Sequence, residues 1–287
     1  MNLNDIIKEY HRKLLSLYPP QEIQSIMNLV LETYLKIPKA EISLKRNEEL
    51  HEALQTVLLD ILKQLETAKP VQYIIGDTSF YDMDIRVTPD ALIPRQETEE
   101  LVHWIVSDVM HTPDRPDILD IGTGSGCIAI ALAKKLKNAS VSGCDISRNV
   151  LDLAKENAKH NHVSIHFFQM NVLKQNLLPD VFDIIVSNPP YIPNNEKKHM
   201  HRNILEHEPV SALFVPDKEP LMFYEAIADF SLNHLNKNGK MYLEIHEKYG
   251  NEVMHLLKKA SFSHVQLKKD INGKDRMVKA IWSYGKK

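Results

Sequence analysis

Two apolar stripes with three- and four-residue spacing organise the first seventy residues. Ile23, Ile26, Met27, Val30, Leu31, Tyr34 and Leu35 form one, starting behind Pro19-Pro20, and Leu50, Leu54, Val57, Leu58, Ile61, Leu62 and Leu65 form the other. Each predicts an amphipathic helix whose apolar face must be covered by a partner. Pro70 closes this helical stretch, and 71–86 alternates like a hairpin or extended connector. A helix is predicted over 97–110. The period then changes. Short apolar runs at 117–121, 140–145, 163–169, 182–187 and 240–245 alternate with helical stretches at 126–137, 147–161 and 221–235, the rhythm of an open parallel sheet with helices on both faces. A further helix is predicted at 250–259. Closing strands follow at 265–270 and 276–282, and Asn272-Gly273 between them is a hairpin signal that makes the last strand antiparallel.

The predicted fold class is therefore α/β: a Rossmann-like sheet with an antiparallel final strand, plus a small N-terminal helical domain. A chain of 287 residues is long enough for two cores. The expected division is a helical domain at 1–70, a hairpin or linker at 71–96, and an α/β domain at 97–287. No repeat or low-complexity segment interrupts it.

The candidate chemistry sits at predicted strand ends. Gly122-Thr123-Gly124-Ser125-Gly126 follows the first buried run at once and opens a helix. There the missing side chains let the backbone approach a ligand at a helix N-terminus. Asp145 ends the next strand, placed to accept hydrogen bonds from ribose hydroxyls. Asn188-Pro189-Pro190-Tyr191 follows 182–187. Two prolines stiffen this corner and remove its N–H donors. The Asn188 side-chain carbonyl and a backbone carbonyl are then two neutral acceptors for a planar NH2 group, with Tyr191 expected to cover its flat face. An ordinary Asn-Pro turn is the plain alternative.

Gly124 to Ala129 also fits the dinucleotide fingerprint G-x-G-x-x-A. The additional Gly122 and the Asn188 tetrapeptide favour a nucleoside sulfonium over a nicotinamide. These features together resemble the class I S-adenosylmethionine-dependent methyltransferases, and within them the N5-glutamine methyltransferases that modify peptide-chain release factors. Gln72 to Gly76, Leu92 to Glu99 and Glu208-Pro209 extend the likeness, which runs from about Gln72 to the C-terminus. Two positions depart from the family pattern: Gln96 stands where many relatives have proline, and Asn171 where an acidic residue is common.

The resemblance implies S-adenosyl-L-methionine as cofactor, with S-adenosyl-L-homocysteine as product. It implies cofactor contacts from Gly122, Thr123, Gly124, Ser125, Gly126, Asp145, Asn171, Val172 and Asn188. Substrate contacts would come from Asn188, Pro189, Pro190, Tyr191 and Arg95, with Asn188, Pro189 and Tyr191 as the catalytic set and no obligatory base. The helical domain would help receive a protein substrate. A release factor is the implied partner. Methylation of a ribosomal-protein glutamine, or of adenine N6 in an extruded base, uses the same grip on NH2.

Composition narrows these readings. Lys+Arg 35 against Asp+Glu 38 gives a net charge of −3, which does not suggest a broad phosphate-binding surface or a nucleic-acid substrate. Hydrophobic residues at 43% and charged residues at 25% are those of an ordinary soluble protein. No leader or apolar span is apparent, so a cytoplasmic monomer without membrane contact is expected. Cys127 and Cys144 read as buried fillers. His199, Met200 and His201 fall in a polar segment after the tetrapeptide, read as a loop near bound substrate and lacking the ligand spacing of a metal site. Phe80 reads as a core aromatic, and Arg95 serves equally as a loop brace or a substrate contact.

Overall fold

The computed structural model describes residues 1–42, 44–110, 115–174 and 178–283. The chain forms two compact units. One comprises Met1–Asp77 together with Met200–His207; the other comprises Thr78–His199 and Glu208–Lys287.

The first unit contains helices α1 (Leu3–Leu14), α2 (Pro20–Leu35), α3 (Lys39–Ile42), α4 (Glu52–Glu66) and α5 (Val71–Ile75). Asn2 starts α1 with a capping box: its side chain accepts from the Asp5 N–H while the Asp5 carboxylate accepts from the Asn2 N–H. The predicted stripes of α2 and α4 meet the α1 face formed by Leu3, Ile6, Ile7, Tyr10 and Leu14 in one core. Val57, predicted in the second stripe, is exposed. The segment 71–75 is helical and not extended. Pro70 supplies an extended N-cap, and Gly76 ends the turn at φ 92°, a left-handed conformation suited to glycine.

The second unit opens with the hairpin β1 (Asp77–Phe80) and β2 (Met83–Arg86), followed by α6 (Gln96–Val109). Tyr81 and Asp82, at φ 50° and 62°, make the hairpin turn, and Phe80 is buried in the core. Then come β3 (Asp117–Ile121), α7 (Cys127–Lys135), β4 (Ser140–Asp145), α8 (Arg148–His160), β5 (His166–Gln169) and β6 (Phe182–Ser187). The short strands β7 (Ile192–Pro193) and β8 (Phe214–Val215) pair in parallel; in sequence α9 (Arg202–His207), part of the first unit, and α10 (Val210–Leu213) come between them. The chain closes with α11 (Met222–His234), β9 (Leu235–Glu244), α12 (Gly250–Lys259), β10 (Ser263–Lys269) and β11 (Asp275–Trp282).

Seven strands form one sheet in the order β10-β11-β9-β6-β3-β4-β5. Only β11 runs against the others, pairing antiparallel with both β9 and β10. Side-chain alternation splits the core into two layers. Ile118, Ile184 and Val186 face α6 and α7, while Leu119, Ile121 and Ile185 face α11 and α12. Strand order reverses beside β3, whose neighbours are β4 and β6. Ile121 pairs with Cys144 on one side and Ser187 on the other, and Ser187 pairs with Leu243. The ends of four strands thus lie side by side at the switch point, where open α/β sheets bind ligands.

Two differences from the sequence pattern have local causes. β9 starts at Leu235, ahead of the predicted 240, and its pairing with β6 shifts register around Asn238, which takes φ 65°. The segment 194–203, expected as a loop, is largely helical: Asn194–His199 is a 3-10 helix and α9 begins at Arg202, with Met200 and His201 linking them. His201 Nε2 donates to the Leu17 carbonyl at 3.1 Å and His207 Nε2 to the Thr67 carbonyl at 3.0 Å, so 200–207 belongs with the helical unit. Among the described residues, no helix is long and apolar enough to cross a membrane, and no group of three or more His, Cys, Asp or Glu is placed to hold a metal ion.

Candidate active site

The glycine turn is built for close backbone approach. Gly122, Gly124 and Gly126 have φ of 71°, 56° and 83°, which side chains with a Cβ rarely adopt. The N–H groups of Gly122 and Thr123 both donate to the Cys144 carbonyl at 2.9 Å, which locks the turn to the end of β4. A Cβ at Gly122 would meet nothing within 4 Å, so that face is open; one at Gly126 would come within 3.1 Å of Ala154 Cβ on α8. Gly122 therefore leaves room for a ligand, whereas Gly126 is required by helix packing.

Asp145 completes this side. Its Oδ2 accepts from the Gly124 N–H and its Oδ1 from the Ser147 N–H, both at 3.1 Å. Burial raises its pKa above the usual carboxylate value, and these backbone donors oppose the rise. Thr123 and Ser125 turn their side chains inward. The Thr123 hydroxyl donates to Asp120 Oδ2 at 2.6 Å, and Ser125 Oγ is buried with no hydrogen-bond partner among the described residues. What both offer a ligand is backbone.

Asn188 follows β6, the strand next to β3, and lines the same cavity as the glycine turn. Its Nδ2 donates to Thr98 Oγ1 at 3.1 Å, Thr98 Oγ1 donates to Glu244 Oε2 at 2.6 Å, and the Tyr191 hydroxyl donates to Glu244 Oε1 at 3.0 Å. With its nitrogen engaged, Asn188 has Oδ1 left, and no group among the described residues donates to it. Glu244 is fully buried at the end of β9. Burial raises its pKa, opposed by the hydrogen bonds from Thr98 and Tyr191 and by the charge of Arg276.

Gly122, Asp145, Asn188, Pro189, Pro190, Asn171, Val172 and Arg95 all border one cavity of about 280 Å³. Asn171 Oδ1 accepts from the Leu173 N–H at 3.0 Å, an Asx turn that holds the loop after β5. Arg95 both lines the cavity and grips Glu208 at 2.6 and 2.7 Å, so the brace and the cavity contact coexist in one side chain. Gln96 is the first residue of α6, an N1 position that suits proline but does not need it. Cys144 is buried in the core. Cys127 borders the cavity, and burial pushes its thiol up to about 12, far from a reactive thiolate.

Tyr191, expected to cover the flat face of the bound group, is not among the residues that border this cavity. Its ring packs into the core layer of α11 and α12, edge-on to His246 at 6.0 Å, because its hydroxyl supplies one of the donors that a buried carboxylate requires. Thr98 and Glu244 were missed. Thr98 lies inside the Leu92 to Glu99 segment, where an unused hydroxyl on a buried helix face was the available signal. Glu244 is the one acidic residue in an apolar strand run, Met241-Tyr242-Leu243-Glu244-Ile245, which was a signal of equal weight.

Comparison with known proteins bears on this arrangement. The Methyltransferase small domain family matches residues 103–211, and the PrmC N-terminal domain family matches residues 6–76. A release factor glutamine methyltransferase of Flavobacterium psychrophilum is 43% identical over 280 residues, covering 96% of this chain and 98% of that protein. One from Bacteroides thetaiotaomicron is 38% identical over 279 residues, covering 97% and 99%. Among solved structures, a methyltransferase from Pyrococcus furiosus superposes with a TM-score of 0.52 at 18% identity, covering 81% of this chain and all of that one. The hMettl16 catalytic domain, solved with an RNA hairpin, has a TM-score of 0.56 at 18% identity, covering 82% and 83%. These two share the fold. With near-complete coverage by relatives of one description, a methyltransferase fold and a glycine turn that lines one cavity with the Asn188 corner, this enzyme belongs to the release factor glutamine methyltransferase family.

Proposed function

We propose that this enzyme transfers a methyl group from S-adenosylmethionine to the side-chain nitrogen N5 of a glutamine in a class I peptide-chain release factor, at its Gly-Gly-Gln sequence. One observation carries the reading: the Asn188 carboxamide has its nitrogen engaged by Thr98 and its oxygen free at a cavity that also contains the glycine turn and Asp145. The names of the relatives, which span nearly the whole chain, support the release factor as substrate.

The cavity fits such a cofactor. The open face of Gly122 admits a nucleoside, and both Asp145 oxygens keep lone pairs for ribose hydroxyls beyond the N–H groups they already accept. Gly122, Gly124, Asp145, Asn171 and Val172 would hold it. When bound, S-adenosylmethionine supplies a methyl carbon activated by sulfonium.

The residues of the chain do the rest by position. A carboxamide nitrogen is a poor nucleophile because its lone pair is delocalised into the carbonyl. Asn188 Oδ1 and the Pro189 carbonyl accept the two N–H groups of the glutamine, which sets the direction of the nitrogen and favours its pyramidalisation. Alignment of two bound reactants contributes as much as roughly 7–11 kcal/mol. The alkylated nitrogen carries an extra proton acidic enough to leave to water, so no side chain is assigned as base. Pro189 and Pro190 place no competing N–H at this corner. The helical unit is proposed to help receive the protein substrate, in the cytoplasm where translation proceeds.

The test is a transfer assay with radiolabelled S-adenosylmethionine, offering release factor, ribosomal protein and nucleic acid side by side. Label on the release factor glutamine supports the proposal, and label confined to either other substrate overturns it. Mass spectrometry of release factors from cells lacking this protein gives a second reading: the glutamine peptide should be lighter by one CH2, the net gain when a methyl replaces a hydrogen.

A further inference from the structure

We infer that Thr98 and Glu244 are positioning residues that decide which end of the Asn188 carboxamide meets the substrate. The inference rests on the proposed role of Asn188 and adds the groups that make that role possible. Asn188 by itself carries no such instruction. An amide rotated by half a turn presents NH2 where the carbonyl was, with nearly the same shape, and would meet the NH2 of a glutamine donor against donor.

With Glu244 ionised, counting protons gives the direction found in the structure. As a carboxylate, Glu244 has none to give, so both its neighbours must donate: Thr98 at 2.6 Å to Oε2 and Tyr191 at 3.0 Å to Oε1. A threonine hydroxyl has a single proton. Once that proton points at Glu244, Thr98 Oγ1 can only accept from Asn188, and the atom facing it at 3.1 Å must be Nδ2. Oδ1 is thereby left for the substrate. Thr98 is 2% exposed and Glu244 1%, so water does not compete for the bond between them.

Three elements converge here. Thr98 lies in the first turn of α6, Glu244 ends β9 and Asn188 follows β6, whose last residue pairs with Leu243 beside Glu244. The buried carboxylate has no part in the methyl transfer itself; its consequence is a one-way hydrogen-bond chain that ends at the reacting amide.

The experiment compares Thr98→Val, Thr98→Ser, Glu244→Gln and Asn188→Ala in the full-length enzyme. It reads kcat and KM for release factor, and affinity for S-adenosylmethionine by calorimetry. Valine keeps the shape and loses the hydroxyl, so kcat should fall roughly tenfold or more, with KM and cofactor affinity within about threefold. Serine keeps the hydroxyl and should restore kcat. Glu244→Gln, which has protons to donate, should lower kcat as Thr98→Val does. A Thr98→Val enzyme with normal kcat, or a Thr98→Ser enzyme as slow as the valine variant, overturns the inference, and the Thr98 pair decides it even where Glu244→Gln fails to fold. Normal turnover by Asn188→Ala would overturn the underlying reading as well. An inactive Asn188→Ala beside a fully active Thr98→Val would remove only the positioning role.

Discussion

A single guanidinium nitrogen of Arg95 reaches both carboxylate oxygens of Glu208, at 2.6 and 2.7 Å, across 113 positions of sequence. The Glu208 side chain is 2% exposed and that of Arg95 34%. The pair joins the segment before α6, which borders the cavity, to the segment before α10, a helix whose Ser211 and Ala212 also border it.

Arg95→Ala should therefore destabilise the fold by about 3 kcal/mol, because it strands a carboxylate in the interior; the partial exposure of Arg95 keeps the loss near the low end of the usual range. Glu208→Gln should cost less, since the amide remains neutral and still accepts a hydrogen bond. Urea unfolding of both variants checks this. A loss below about 1 kcal/mol for Arg95→Ala would show that water reaches Glu208 freely.

Asn188→Ala should lower kcat by roughly a hundredfold or more, the scale of removing one preorganised polar group at a reacting centre. Affinity for S-adenosylmethionine should stay within about threefold, since the groups proposed to hold the nucleoside are untouched. Single-turnover kinetics beside calorimetry separates the two quantities. Equal losses in both would reassign Asn188 to cofactor binding.

Asp145→Ala should do the reverse. It removes a charged acceptor beside the glycine turn and frees the Gly124 and Ser147 N–H groups. Affinity for S-adenosylmethionine should fall roughly 10- to 150-fold, as for hydrogen bonds to a charged group, while kcat at saturating cofactor changes little. Titration calorimetry measures the first, and an unchanged affinity would remove Asp145 from the cofactor site.

Tyr191→Phe keeps the ring and removes only the hydroxyl. If the residue covered the substrate, activity would survive. Because the hydroxyl donates to Glu244, kcat is expected to fall roughly fivefold to tenfold, together with about 1 kcal/mol of stability. Steady-state kinetics and thermal unfolding of this variant decide between the two roles.

Asp120 supplies a prediction in pH. It is fully buried, and burial pushes its carboxyl from the ordinary 3.8 up to about 7 despite the hydrogen bond from Thr123. Between those values the unfolded chain has released a proton that the folded protein retains, so this group's contribution to stability declines as pH rises from about 4 to about 7 and is level above. Asp120→Asn removes the titration. The stability of wild type relative to the variant should fall from pH 4.5 to pH 7.5, whatever the constant offset between them. Parallel stability curves for the two proteins would place the Asp120 pKa outside this window.

Much of the architecture was legible because periodicity is a local property. The stripes of α2 and α4, the apolar runs of β3, β4 and β6 and the Asn272-Gly273 turn each state which face is apolar or where the chain reverses. The first helix was left unmarked by the stripes, although Leu3, Ile6, Ile7, Tyr10 and Leu14 are buried at helical spacing. The segment 71–75 is ambiguous in sequence because its short apolar run suits a strand as well as a single helical turn, and Gly76 ends it as a turn.

The amino-acid sequence alone determined the chemistry on offer. Glycines at 122, 124 and 126 permit positive φ, an acidic residue ends the following strand, and an Asn-Pro-Pro corner has no N–H at its prolines. These are properties of neighbouring residues, so a linear reading can find them. Tertiary structure decided what each polar side chain meets. Thr98 and Glu244 are 146 positions apart and Asn188 and Thr98 are 90 apart, and they meet only because β9 and β6 pair and α6 packs over them. The same packing turned Tyr191 from the cavity toward Glu244. The direction of a hydrogen bond depends on the protons of both partners, and no local pattern names a partner that strand order brings from elsewhere in the chain.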